Sequence, residues 1–236
     1  MKFVAMAFAL STAALAVLLG LIVTQPYYAH RLADWAGSDH LGYRSTVHAE
    51  TMQFVNAGRL QQGGADLALF GASTIERLDV RRFGTGALNL AYGGWTTRDV
   101  LSYWQSNPEF AHLDKVVILV GFNDLATGRE PADISHDLAE VLDMYEGDEP
   151  VLLVGVLPVA ERGVAGGVTN AAVAKVNARL ARICIEARNS RFADPARGPH
   201  RFATPLDSEF DAGDGVHLNA QGNRRLADLI ETHLTR

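Results

Sequence analysis

Cysteine is nearly absent. Cys184 is the only one in 236 residues, so the chain can close no disulfide on itself and hold no cysteine-based metal cluster. Runs of like charge are missing too. The 21 basic and 27 acidic residues give a formal charge of -6, and no basic stretch of the kind that neutralises phosphates occurs, which sets nucleic acid aside as a partner. Internal repeats and low-complexity tracts are lacking, which sets repeat architectures aside. With 48% hydrophobic and 20% charged residues, what remains is the composition of an ordinary globular protein with one good core.

The one long apolar run lies at the start. Residues 3–23, "FVAMAFALSTAALAVLLGLIV", carry no charge and follow only Lys2, and about 20 such residues cross a bilayer as a helix. The apolar part of a signal peptide is shorter and ends at a small-x-small site; "LIVTQPYYAH" offers no good one. Tyr27, Tyr28 and Trp35 follow, where interfacial aromatics sit. We therefore expect residues 1–25 to be an uncleaved membrane anchor, with a cleaved signal as the alternative. Lys2 and the amino terminus would stay inside, so both readings send the rest of the chain outside the cytoplasm, periplasmic or extracellular. Residues 26–65, ending in "QQGG", read as a stalk or peripheral segment, and 66–236 as the folded domain.

Within that domain, short apolar runs at Leu67 to Phe70, Ala87 to Ala91, Val116 to Val120 and Val151 to Leu157 each end in Gly, Pro or a polar loop. Helical patterns alternate with them. One contains Val100 and Trp104, a second Ile134, Leu138, Val141, Leu142 and Tyr145, and a third Val173, Val176, Leu180 and Ile183. The last carries Leu226, Leu229, Ile230 and Leu234. Fully apolar strands between amphipathic helices predict an α/β fold, a three-layer α/β/α sandwich around a parallel sheet. Ligands of such sheets bind beyond the carboxyl ends of the strands.

Four loops expected at that edge carry polar residues. "GAST" brings Ser73; "NLAYGGWTT" brings Asn89, Gly93 and Gly94; "GFNDL" brings Asn123 and Asp124; "DGVHLN" brings Asp214 and His217. A serine hydroxyl attacks a carbonyl only when an imidazole takes its proton and a third group holds that imidazole in the right tautomer. Ser73, His217 and Asp214 fit those roles, and the N–H groups of Ser73 and Gly94 with the amide of Asn123 fit the donors for an oxyanion. The same spacing of acid and histidine recurs at Glu109/His112 and Asp133/His136, but only Asp214/His217 lies in a glycine-containing loop running into a terminal helix. Taken singly, Ser73 also reads as a helix cap and Asn123 as a turn brace. The α/β-hydrolase design is excluded, since its nucleophile elbow needs Gly-x-Ser-x-Gly and position 75 is Ile.

Together "FGAS", "NLAYGGWTT", "GFND" and "DGVHLNAQG", in that order, resemble the SGNH hydrolases, also called the GDSL esterase and lipase superfamily, across about residues 66–236. The resemblance implies a flavodoxin-like sandwich, no cofactor and no metal. It implies Ser73 as nucleophile, Asp214 and His217 as its partners, and Gly94 and Asn123 as oxyanion donors. It further implies hydrolysis of a carboxylic ester through an acyl-enzyme; an anchored domain outside the cytoplasm would meet the O-acyl groups of envelope glycans or lipids, and acyl transfer by the same residues is an alternative. Two positions depart from the family pattern. Ala72 stands where an aspartate is usual, and Trp95 where a small polar or acidic residue is usual; Trp95 either lines a substrate pocket or packs under its loop. Two other readings stay open: a metal-dependent phosphoesterase built on Asp207, Glu209, Asp211, Asp214 and His217, and an inactive anchored binding module.

Overall fold

Leu67–Gly71 (β1) is buried at every position, and its side chains divide between two separate cores. Ala68 and Phe70 face one, Leu67 and Leu69 the other. This two-sided burial follows from the alternation of side chains along a strand whose sheet is covered on both faces. The computed structural model describes residues 65–161, 167–187 and 189–235, with residues 53, 55, 56, 58 and 60, all within the unit Ala49–Arg236. The expected anchor, residues 1–25, and most of the segment 26–65 lie outside the described residues. Among the described residues no helix is long and apolar enough to cross a membrane.

Along the chain β1 is followed by α1 (Ser73–Glu76), β2 (Ala87–Asn89), α2 (Thr97–Ser106), β3 (Val116–Leu119) and α3 (Phe122–Ala126). Then come α4 (Pro131–Met144), β4 (Val151–Val154), α5 (Asn170–Glu186), β5 (Ser190–Ala193) and α6 (Ala220–Leu234). The five strands form one sheet in the order β2-β1-β3-β4-β5, every pair parallel. That is the flavodoxin-like order, with its topological switch point between β1 and β3. Helices α2, α4 and α5 bury their apolar stripes on one face, through Val100, Trp104, Ile134, Leu138, Val176 and Leu180. On the other face α6 packs through Leu226, Leu229 and Ile230 with Ile75 of α1. The expected α/β/α sandwich is thus the observed fold.

Three of the apolar runs outlast their strands. Leu90, Ala91, Val120, Val156 and Leu157 are buried but lie beyond the strands they follow, because the loops at the carboxyl edge are themselves covered. Leu90 N–H still donates to Leu69 O at 2.8 Å and Tyr92 N–H to Gly71 O at 3.1 Å, so the connection after β2 runs alongside β1. Gly71 closes β1 where only glycine fits: a Cβ there would stand 2.2 Å from the carbonyl oxygen of Leu119 on β3. The loops leaving β1 and β3 therefore start from strands in close contact. Upstream of β1, Asn56 is fully buried and donates to Asn89 O at 3.2 Å and to the Tyr92 hydroxyl at 3.3 Å.

Candidate active site

Ser73 is the first residue of α1, two residues past the end of β1. The N–H at that position has no intrahelical acceptor, and the side chain is partly exposed. Ala72, just before it, sits in the apolar cluster that contains Tyr92 and Trp95, and α1 has no side-chain cap. An alanine there fits among these rings, where an aspartate would need a buried partner.

His217 comes from the other end of the chain, 144 residues away, and its Nε2 lies 3.0 Å from Ser73 Oγ. The loop that brings it is held from several sides. Asp211 and Leu218 form an antiparallel bridge, Ala212 N–H donates to His217 O at 2.8 Å, and Ala160 N–H, after β4, donates to Gly215 O at 2.9 Å. Asp211 Oδ1 accepts from the N–H groups of Gly213 and Gly215. Asn219 ends the loop and caps α6, its Oδ1 accepting from Gln221 and Gly222 N–H while its Nδ2 donates back to Glu209 O and Asp211 O.

Asp214 does two things with one carboxylate. Oδ1 accepts the N–H groups of Val216 at 3.0 Å and His217 at 2.8 Å, which folds the turn, and Oδ2 stands 2.5 Å from His217 Nδ1. Partial burial works to raise this carboxyl, but the His217 N–H, the imidazole and the Val216 N–H together bring it down to about 2. An ionised Asp214 only accepts, so Nδ1 carries the proton and donates. In the neutral imidazole Nε2 is then the acceptor, and the Ser73 hydroxyl donates to it. The chain Ser73, His217, Asp214 can move a proton from hydroxyl to imidazole and hold the resulting cation beside an anion.

The other two loops meet across the switch point. Gly94 has φ +86, a left-handed conformation that glycine adopts without a Cβ clash, and it lies in the turn that leads to α2. Asn123, on α3, donates through Nδ2 to Trp95 O at 2.8 Å. Its amide is thereby anchored to the turn that carries Gly94, and a second N–H remains on Nδ2. The ring of Trp95 is buried at 8% exposure, 4.3 Å from the Tyr92 ring centroid and 5.3 Å from that of Tyr103. It lies in the core under the loop. Asn89 braces the same region from below, donating to Ile75 O at 2.7 Å and accepting Ala91 N–H at 3.1 Å.

One residue named only as polar in the "GFNDL" loop has a burial that the sequence did not reveal. Asp124 is fully buried among Thr97, Arg129 and Asp137. Burial pushes its carboxyl up, against the pull of Thr97 and Arg129. No sequence pattern distinguishes it from a surface acid beside Asn123.

The remaining acid and histidine pairs lie elsewhere. His136 pairs with Glu140 on the exposed face of α4 at 3.0 Å, and His112 stands 3.7 Å from Glu146. Among the described residues no three of His, Cys, Asp and Glu converge to hold a metal ion. In the C-terminal acidic group Asp211 is engaged by backbone N–H groups, and Glu209 Oε1 accepts from Gln221 at 2.5 Å.

Comparison with known proteins gives the same picture of the fold. A Streptococcus pneumonia protein described as a platelet activating factor superposes with a TM-score of 0.70 at 18% identity, covering 89% of this chain and 99% of that one. The lipase/acylhydrolase from Enterococcus faecalis gives 0.59 at 22%, covering 72% and 95%. A GDSL-like lipase from Bacteroides thetaiotaomicron gives 0.59 at 20%, covering 79% and 98%. No curated protein sequence matches the chain. Residues 42–225 match the model of the GDSL-like Lipase/Acylhydrolase family. That match spans most of the chain and both halves of the site, from Ser73 to His217, so the chain belongs to this family and is one of its ester hydrolases.

Proposed function

We propose that the protein is a serine esterase working through an acyl-enzyme. His217 Nε2 takes the Ser73 proton as Oγ attacks an ester carbonyl, and the N–H groups of Ser73 and Gly94 with the Asn123 amide receive the oxyanion. The alcohol leaves with the proton from His217. Water, deprotonated by the same imidazole, then attacks the acyl-enzyme and releases acid and free serine. Asp214 keeps the imidazole in the productive tautomer and stabilises its charged form. The observation that carries this reading is the continuous chain of contacts, 3.0 Å from Ser73 to His217 and 2.5 Å from His217 to Asp214. Each distance is one at which a proton can be transferred or held.

The substrate we assign is an O-acyl group on a cell-envelope glycan or lipid. Support for it comes from the uncharged run at residues 3–23, long enough to hold the enzyme on a membrane with its site outside the cytoplasm. Transfer of the acyl group to a sugar hydroxyl, ahead of water, uses the same residues.

The test is hydrolysis of a short and a long p-nitrophenyl ester by wild type and Ser73→Ala. Turnover that disappears in Ser73→Ala is the expected result, and the chain-length preference separates acetyl from lipid substrates. Folded wild-type protein that neither turns over an ester nor is labelled at Ser73 by a fluorophosphonate would overturn the reading.

A further inference from the structure

Asp124 follows Asn123 directly, and the two side chains hold neighbouring points on one partner. Asn123 Nδ2 donates to Trp95 O at 2.8 Å. Asp124 accepts the N–H of Thr97, two residues further on, with both oxygens, at 3.0 and 3.2 Å, and Thr97 Oγ1 lies 2.8 Å from its Oδ1. A single contact leaves two loops free to pivot about it; two contacts side by side fix distance and angle together. The first helical turn of α2 does not depend on Asp124 for order, because Thr96 already donates to Asp99 through its N–H at 2.8 Å and its Oγ1 at 2.7 Å.

Behind Asp124 the attachment is reinforced. Arg129 Nη1 contacts Asp124 Oδ1 at 2.5 Å and Asp137 Oδ2, on α4, at 2.8 Å, and also reaches Thr97 Oγ1 at 2.8 Å. Thr97 Oγ1 lies 2.7 Å from Asp137 Oδ2. Two buried carboxylates on one guanidinium are a costly way to gain stability, since apolar residues of similar volume do as well or better. What the cluster provides that apolar packing does not is directional bonds to the backbone at one point of the β2–α2 connection.

We propose that Asp124 is a positioning residue: with Thr97, Arg129 and Asp137 it clamps the start of α2 to α3 and so sets the Asn123 amide against the Gly94 turn as a working oxyanion hole. This rests on the serine-esterase reading. The residue acts through Asn123 and Gly94 and touches no reacting atom, so its loss shows in the transition state more than in substrate binding.

The full chain is tested as wild type, Asp124→Asn, Thr97→Val, and Leu180→Ala, a fully buried residue of α5 with no part in the Asp124 cluster. Displacing a donor by a fraction of an ångström predicts that kcat falls roughly 10- to 100-fold in Asp124→Asn with KM within about twofold, at temperatures well below melting. Affinity for a boronic acid that adds to Ser73 should fall in parallel. Thr97→Val loses only a hydroxyl and should move in the same direction by less, and it carries the test if Asp124→Asn does not fold. Leu180→Ala should lower the melting temperature and leave kcat unchanged. Wild-type turnover with unchanged kcat in both site variants, or losses no greater than melting explains in Leu180→Ala, overturns the clamp and leaves the esterase reading standing. Wild type without turnover or fluorophosphonate labelling overturns both.

Discussion

Asp214 holds its own loop with one oxygen and the His217 ring with the other, so its two contributions separate by substitution. Asparagine keeps the Oδ1 acceptor but presents an NH2 to Nδ1. The imidazole must then accept at Nδ1 and carry its proton on Nε2, facing Ser73, where it is no base. Asp214→Asn should therefore lower kcat by roughly 10⁴-fold while the fold persists, measured on a chromogenic ester. The same carboxylate predicts an acid dependence. Its folded value of about 2 lies below the unfolded value of about 3.9, so the unfolded state binds the proton first, and the contribution is fully present above about pH 4 and lost as pH falls toward about 2. Denaturant unfolding of wild type and Asp214→Asn should differ more at about pH 5 than at about pH 2.5; a gap independent of pH would contradict this. For Asn123→Ala, loss of one oxyanion donor predicts a kcat lower by roughly 100- to 1000-fold, severe but short of Ser73→Ala, and wild-type activity in that variant would remove Asn123 from the site. At this scale the contacts between Ser73, His217 and Asp214, and the tie from Asn123 to the turn that carries Gly94, join residues that the sequence singled out through their loops past apolar runs or before the last helix and through the family resemblance of those loops. The roles of Asp124 and Thr97 were not legible, because a buried carboxylate and a surface one look alike until the fold shows what encloses them. Of the two readings open for Trp95, the structure shows the packed one, against Tyr92 and Tyr103.

The elements matter to the site through where they stop. Gly71 ends β1 against the Leu119 carbonyl, so Gly71→Ala must push β1 and β3 apart at the point from which the Ser73 and Asn123 loops leave. A cost at the upper end of about 1–3 kcal/mol is expected, with ester turnover reduced beyond what the lowered melting temperature accounts for. At the start of α6, Asn219 joins a helix cap to the loop carrying His217. Asn219→Ala should lose about 1 kcal/mol for the cap and loosen the loop at the same time, so calorimetry and kinetics should change together. The strands β1 to β4 were readable as apolar runs, although their ends were overestimated wherever a covered loop continued the run. β5 was missed. Its sequence, Ser190–Ala193, buries only Ala193 completely, and an edge strand that pairs on one side carries too little apolar signal to stand out from a loop.

Taken whole, the chain combines a folded hydrolase unit with an apolar N-terminal run, and the proposed anchoring predicts how the full-length protein fractionates. It should remain with membranes through an alkaline carbonate wash, and external protease should release the Ser73 unit; recovery in the soluble fraction would overturn the anchor. The sandwich itself was legible in the sequence, since alternating apolar strands and amphipathic helices leave few other arrangements. The meeting of distant loops at one edge was only implied by it. That meeting also has a consequence in time. Ser73 follows β1, whereas His217 comes 144 residues later, after β2 to β5 have been made. On the proposed mechanism, a chain caught partway through synthesis has its serine but not the imidazole that would take the proton, and it gains activity only once the final loop has been delivered and docked.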